Sequence, residues 1–394
     1  MVSLFAWMDY EAAHTQVLFV RFSTVGCPEW LNSPKDRLQK LRDLLGGAAT
    51  DEQIEEDAGR VMAHCENIAS MMEEELREKM PLALGRVYVD NLPGPLDAKR
   101  RVGALAPLIK AGFEEVLKGV PWLTGKSRSN AIDKLRKAYP NLAYAENILS
   151  DDYLYKTYSK LRLEKDDDLL VVRLKVLRYA ANFNLADVGR PVDKSDNGNA
   201  ERSNAWYNPY YNSFTIPATI LQVPFYQASF LPAMNFGGIG AVMGHEIGHG
   251  FDPSIAPAMD ADGNCRPMLM DELVLSHFNA SRDCMVNRSR DVGYLRPYSP
   301  VPQSFADQLG VRAAHLAFMK TQPAQKKRMA GPLSNFDEEQ LFFLSWGHIW
   351  CDINQVTVQW RGAEPLRQYP AFAKAFQCPE GTYMAPRDRC GVWS

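Results

Sequence analysis

The sequence predicts a mainly α fold with a small β-sheet. Three features carry that prediction. Apolar residues recur at helical spacing through the first half, and one stretch after residue 204 mixes aromatic and β-branched residues with Pro and Asn breaks. An H-E-x-x-H motif then places two histidines on one face of a helix.

In chain order, Thr50 with Gln53 fits a capping box. Ile54, Ala58, Val61, Met62, Cys65, Ile68 and Met72 follow as the apolar stripe of a core-facing helix. Residues 129–138 and 167–182 read as further amphipathic helices. Between about 186 and 204 the chain turns polar and rich in turn residues, which marks a linker or loop. Residues 205–225 fit short strands or a hairpin, with Phe214-Thr215-Ile216 as the clearest strand core. Residues 303–320, 338–352 and 370–377 return to helical periodicity. The chain holds no internal repeat and no low-complexity tract.

Composition narrows the function classes. A length of 394 residues suffices for two or three domains, and 46% apolar with 23% charged residues is ordinary for a globular chain. Lys and Arg total 44 against 47 Asp and Glu, a net charge of −3, which argues against a nucleic-acid or anionic-membrane partner. No apolar run approaches the roughly 18 residues of a membrane span. The start has an early Asp9 and Glu11 and no basic region, so it does not read as a signal peptide. Seven cysteines are too few for a disulfide scaffold, and their odd number leaves at least one unpaired. Two N-x-S sequons, at Asn279 and Asn287, suit a secreted surface loop.

The motif is Gly244-His245-Glu246-Ile247-Gly248-His249-Gly250-Phe251-Asp252. On a helix, His245 and His249 aim their imidazoles at one point. Two neutral imidazoles suit Zn²⁺, and a catalytic zinc needs a third protein ligand and an open position for water. Glu246, one residue along, reaches that water rather than the metal and serves as general base.

Asn204-Ala205-Trp206-Tyr207, Ile220-Leu221-Gln222-Val223-Pro224-Phe225, Asn235-Phe236-Gly237-Gly238-Ile239-Gly240, the motif itself and Asp260-x-x-Gly263-Asn264 follow in order. Cys284-Met285-Val286, Leu341-Phe342-Phe343-Leu344, Trp350-Cys351 and Cys390-Gly391-Val392-Trp393 continue the pattern. Together they resemble the neprilysin and endothelin-converting enzyme family of zinc metalloendopeptidases. The likeness is close from about 200 to 394 and looser over 65–200, where Cys65, Gly85 to Val89 and Tyr139-Pro140 carry it.

The resemblance implies a thermolysin-like catalytic domain over 151–394, its core at 204–394, with part of a helical second domain over 1–150. It implies one zinc per chain, short peptide substrates and an extracellular or cell-surface ectodomain, with Asn279 and Asn287 as glycosylation sites. It pairs Cys284 with Cys390. It makes Asn204 and Ala205 partners of the substrate backbone and Arg361 the group that grips a peptide carbonyl. Asp307 becomes the residue that orients a zinc-binding histidine. The likeness covers about half a family member, so the cytoplasmic tail, the membrane anchor and the first part of the ectodomain are expected to be missing. Cys65, Cys351 and Cys378 then lack their upstream partners.

Two departures qualify these roles. The family's third zinc ligand is a glutamate, and the matching position here is Gln303, a neutral and poorer donor. The family also has a histidine shortly before its arginine to stabilise the oxyanion, and none lies between Cys351 and Arg361. Losing such a donor costs about 10²–10³ in turnover. Met268-Leu269 replaces the family's paired tryptophans, and His315 and His348 read as structural histidines. The expected activity is therefore zinc-dependent hydrolysis of short peptides, and the alternative is an impaired homologue that binds peptides or partners.

Overall fold

The computed structural model describes residues 3–8, 16–21, 76–92, 94–186, 188, 194–195, 199–252, 259–264, 271–291, 293, 301–321, 331–351, 356 and 358–391. The helix expected over 50–72, Cys65, Met268-Leu269 and part of the 186–204 linker lie outside these residues.

The elements are β1 (Ser3–Met8), β2 (Gln16–Arg21), α1 (Pro81–Asp90), α2 (Pro95–Gly119), α3 (Gly125–Lys137), β3 (Tyr139–Ala143), α4 (Asp151–Tyr158) and α5 (Leu169–Ala186). They continue with β4 (Trp206–Asn208), β5 (Ser213–Pro217), α6 (Pro232–Asn235), α7 (Ala241–His249) and α8 (Glu272–Asp291). Last come α9 (Val301–Thr321), α10 (Glu338–His348), α11 (Glu364–Arg367) and α12 (Pro370–Ala375). The fold is mainly helical with a small sheet, as the periodicity predicts.

Two compact units form. The first comprises Met1–Leu92, Ala145–Pro191 and Asn197–Glu201, and the second Pro93–Tyr144, Val192–Asp196 and Arg202–Ser394. In the first, β1 and β2 pair antiparallel, and Leu76, Met80 and Val176 form a buried cluster. Ser150 caps α4, its side chain accepting from the Tyr153 N–H at 3.2 Å.

The second unit contains a three-stranded sheet of order β3-β5-β4. β3 runs parallel to β5, with Tyr139 opposite Ser213, and β4 runs antiparallel to it, with Trp206 opposite Thr215. β5 is buried along its length and contains the strand core expected at Phe214-Thr215-Ile216.

α9 is the centre of this unit. Phe305, Ala306, Leu309, Val311, Ala313, Ala314 and Phe318 are all buried, so the helix is packed on every side. Small residues then set how close its neighbours come. A Cβ added at Gly310 would lie 2.6 Å from the backbone nitrogen of His245, and one at Gly112 would lie 2.1 Å from the Ala313 carbonyl oxygen. α7 and α2 therefore press directly on the α9 backbone. α2 presents Val102, Ala106, Ile109, Phe113 and Val116 to the core, despite Pro107 inside it.

One local expectation changes. The sequons lie on α8 rather than in a loop, with Asn279 and Asn287 both exposed. Val274, Phe278, Met285 and Ser289 form the buried side of that helix, and its period keeps the asparagines off it.

Candidate metal centre

α7 and α9 build the site. A π-turn, Phe236–Gly240, leads into α7, anchored by the Ile239 N–H donating to the Phe225 carbonyl at 2.8 Å. His245 and His249 then share the face turned towards a cavity of about 740 Å³, and their rings stand nearly perpendicular with centroids 4.6 Å apart. Gly248 against Ala306 and Gly244 against Gly310 bring α9 within backbone contact. Gln303 and Asp307, one turn apart, consequently face the two histidines.

Asp307 is the electrostatic hub. Its Oδ1 lies 2.7 Å from His245 Nδ1, and Arg361 grips the carboxylate with Nε at 2.5 Å from Oδ2 and Nη2 at 3.0 Å from Oδ1. Burial pushes this carboxyl up, but the Arg361 guanidinium and His245 outweigh it and hold Asp307 below the usual carboxylate range. Arg361 also lies over the Trp350 ring at 4.4 Å from its centroid, so two neighbours fix the guanidinium.

Glu246 behaves oppositely. Its carboxyl is 5% exposed and burial pushes it up to about 7, only partly opposed by His245 and Arg361. A buried carboxyl near neutrality can both take and return a proton. Burial drives His249 down to about 3, with His245 adding to the effect, so its imidazole is neutral with a lone pair available.

Gln303 Nε2 lies 3.4 Å from His249 Nε2. Among the described residues, no three His, Cys, Asp or Glu side chains form a metal-holding group. The side chains that could hold a metal here are His245, His249 and the Gln303 amide, which can present its oxygen once turned over. That set fits a zinc ion with a neutral donor where a carboxylate is usual.

The cavity is also lined by Asn204, Ala205, Tyr207 and Asp252, while Phe225, Val242, Trp346 and Trp350 supply apolar wall. Composition gives no sign that Trp346 and Phe225 line a site. Their lining position arises only when α10 and the turn after β5 fold against the π-turn that leads into α7, Phe342 meeting Gly237 and Phe225 meeting Gly238. His315 and His348 do not line it. His315 is held between the Tyr369 hydroxyl at 2.9 Å and Glu339 Oε1 at 3.2 Å, and His348 is exposed. Neither replaces the absent oxyanion histidine.

Away from the cavity, Cys284 and Cys390 form a disulfide with Cα atoms 5.5 Å apart, as expected. Arg288 donates to Cys390 Sγ at 3.2 Å and to the Asp388 carbonyl. Cys351 and Cys378 are free. Among the described residues no helix is long and apolar enough to cross a membrane.

Residues 204–392 match the model of peptidase family M13. Neprilysin-1 of Trittame loki is 30% identical over 341 residues, 79% of this chain and 46% of its own length. Membrane metallo-endopeptidase-like 1 of Homo sapiens is 30% identical over 397 residues, 91% of this chain and 47% of its own. Among solved structures, the Mycobacterium tuberculosis zinc metalloprotease Zmp1 in complex with an inhibitor superposes with a TM-score of 0.64 at 26% identity, covering 81% of this chain and 50% of that one. The chain spans about half the length of the curated relatives it matches.

Proposed function

The chain belongs to peptidase family M13 by its residues 204–392 and its neprilysin-type relatives, and from that premise we propose that it is a zinc-dependent endopeptidase acting on short peptides. The observation that carries the reading is Glu246, a buried carboxyl near neutrality beside two converging imidazoles. A zinc ion held by His245, His249 and the Gln303 oxygen would polarise the peptide carbonyl and acidify the attacking water.

Glu246 takes the proton of that water and returns it to the leaving amine. Asp307 fixes the ring orientation and tautomer of His245 from 2.7 Å. Arg361, locked by Asp307 and Trp350, donates to a substrate carbonyl. Asn204 and Ala205, leading into β4, pair with the substrate backbone, and the Trp346, Trp350, Phe225 and Val242 wall takes an apolar side chain. An extracellular setting goes with this reading, with the exposed Asn279 and Asn287 as glycan acceptors.

A second reading is a peptide-binding homologue without turnover. It is favoured by Gln303, whose amide is neutral where the family has a carboxylate and whose Nε2 sits 3.4 Å from His249 Nε2, at the place a metal would occupy. Zinc content and peptide turnover, measured on the native chain and on Glu246→Gln, separate the two. The first reading requires turnover that the substitution abolishes, and the second requires none from either protein.

A further inference from the structure

We propose that the first unit holds a binding site for an organic polyanion, a flat apolar ring carrying two or more negative charges, as in a nucleoside polyphosphate. The site is a cavity of about 770 Å³ formed by α4, the loop that follows it and α5. That volume lies within the roughly 300–1,000 Å³ of ligand sites. Its lining lies wholly within residues 153–186, so it is independent of the metal centre.

Charge is the first observation. Lys156, Lys160, Arg162, Lys175 and Arg178 line the cavity, and no carboxylate does among the described residues. Lys175 is neutralised by Asp167, its Nζ 2.6 and 2.8 Å from the two carboxylate oxygens. The other four cations make no ion pair or side-chain hydrogen bond among the described residues. Other exposed cations of the chain are paired: Arg86 with Asp90 and Asp151, Arg100 and Arg101 with Asp97, Arg136 with Glu114. In a chain of net charge −3, four unpaired cations around one cavity are a local concentration that an anion would relieve. Two of them are guanidiniums, whose forked donors match phosphate or carboxylate oxygens.

The second observation is a fixed aromatic wall. Tyr179 is buried, its hydroxyl donates to the Thr157 carbonyl at 2.9 Å, and its ring lies 5.5 Å from Tyr158 and 5.9 Å from Phe183. Phe183 ends this row at 45% exposure, with a face free for a ligand ring. The cations line one open cavity rather than an extended basic stripe, which favours a compact ligand over a polymer.

Calorimetric titration of the full chain tests this with ATP, adenosine, inorganic tripolyphosphate and a single-stranded DNA oligonucleotide as probes. The expected result is that ATP binds, adenosine does not, and tripolyphosphate binds several-fold more weakly than ATP. The double substitution Arg162→Ala/Arg178→Ala should weaken ATP by at least about tenfold, the loss expected for two charge-assisted contacts. Phe183→Ala should weaken ATP but not tripolyphosphate. Arg100→Ala/Arg101→Ala, in an already paired cluster, should change nothing. All of these side chains are exposed, and thermal unfolding verifies that each variant folds. Absence of ATP binding, or an affinity unchanged by the Arg162/Arg178 substitutions, overturns the proposal. Equal affinity for tripolyphosphate and ATP overturns the role of the ring, and tighter binding of the oligonucleotide overturns the compact ligand.

Discussion

At the scale of single residues, the proposed chemistry turns on Gln303 and Glu246. Gln303 keeps the shape of a glutamate but not its charge, so a metal held by His245, His249 and Gln303 would have only neutral donors. Losses of outer partners alone cost about 10–100-fold in metal affinity, and a missing ligand charge should cost no less. Gln303→Glu is therefore expected to tighten zinc binding by at least about tenfold in competition with a chromogenic chelator. An unchanged affinity would mean that the amide is not part of the metal site. Glu246 makes a separate prediction about stability. Burial raises its folded value from 4.5 to about 7, so the folded state holds a proton that the unfolded state releases. Its penalty is absent below pH 4.5, grows as pH rises to 7, and is complete at pH 8. That shift corresponds to about 3 kcal/mol. Chelator-treated Glu246→Gln should accordingly be more stable than the native chain in urea at pH 8, with the gap closing towards pH 4.5. A gap independent of pH would show that Glu246 is not buried in this way.

At the scale of elements, the site depends on how closely α7 and α9 approach. Gly310 faces the backbone of Ala241 and His245, where an added Cβ would lie 2.6 Å from both the Ala241 oxygen and the His245 nitrogen. Neither is a flexible side-chain end, so the helices must separate to admit it. Gly310→Ala should cost about 1–3 kcal/mol of stability and also weaken zinc, because Asp307 moves with α9 while His245 stays on α7. Denaturant unfolding and zinc titration of the same variant check both effects, and a loss of stability without loss of zinc would separate packing from the site. Much at this scale was legible in the sequence. The helices read over 129–138, 167–182 and 303–320 occur as α3, α5 and α9, and Phe214 to Ile216 lies in β5. α2 was harder to read, because Gly103, Pro107 and Gly112 interrupt an otherwise regular apolar stripe. The sequons on α8 suit a loop when taken alone, because the exposed face of that helix is rich in Asn, Ser and charged residues. His245, Glu246 and His249 were plain because one helix carries them all. The Asp307–Arg361 ion pair joins residues 54 apart, and sequence spacing alone does not show that two such groups meet.

At the scale of the whole molecule, the second unit holds the candidate metal site, the small sheet and the Cys284–Cys390 disulfide, while the first unit holds the cationic cavity. The chain spans 46–47% of the length of its neprilysin-type relatives, which makes activity of this chain by itself the central claim. The most direct test is zinc stoichiometry and cleavage of a short peptide, measured together on the native chain and on Glu246→Gln under saturating zinc. The account predicts about one zinc in each protein, turnover in the native chain and none in the variant. A native chain that binds zinc yet leaves the peptide intact, or a variant that still cleaves it, would contradict the account.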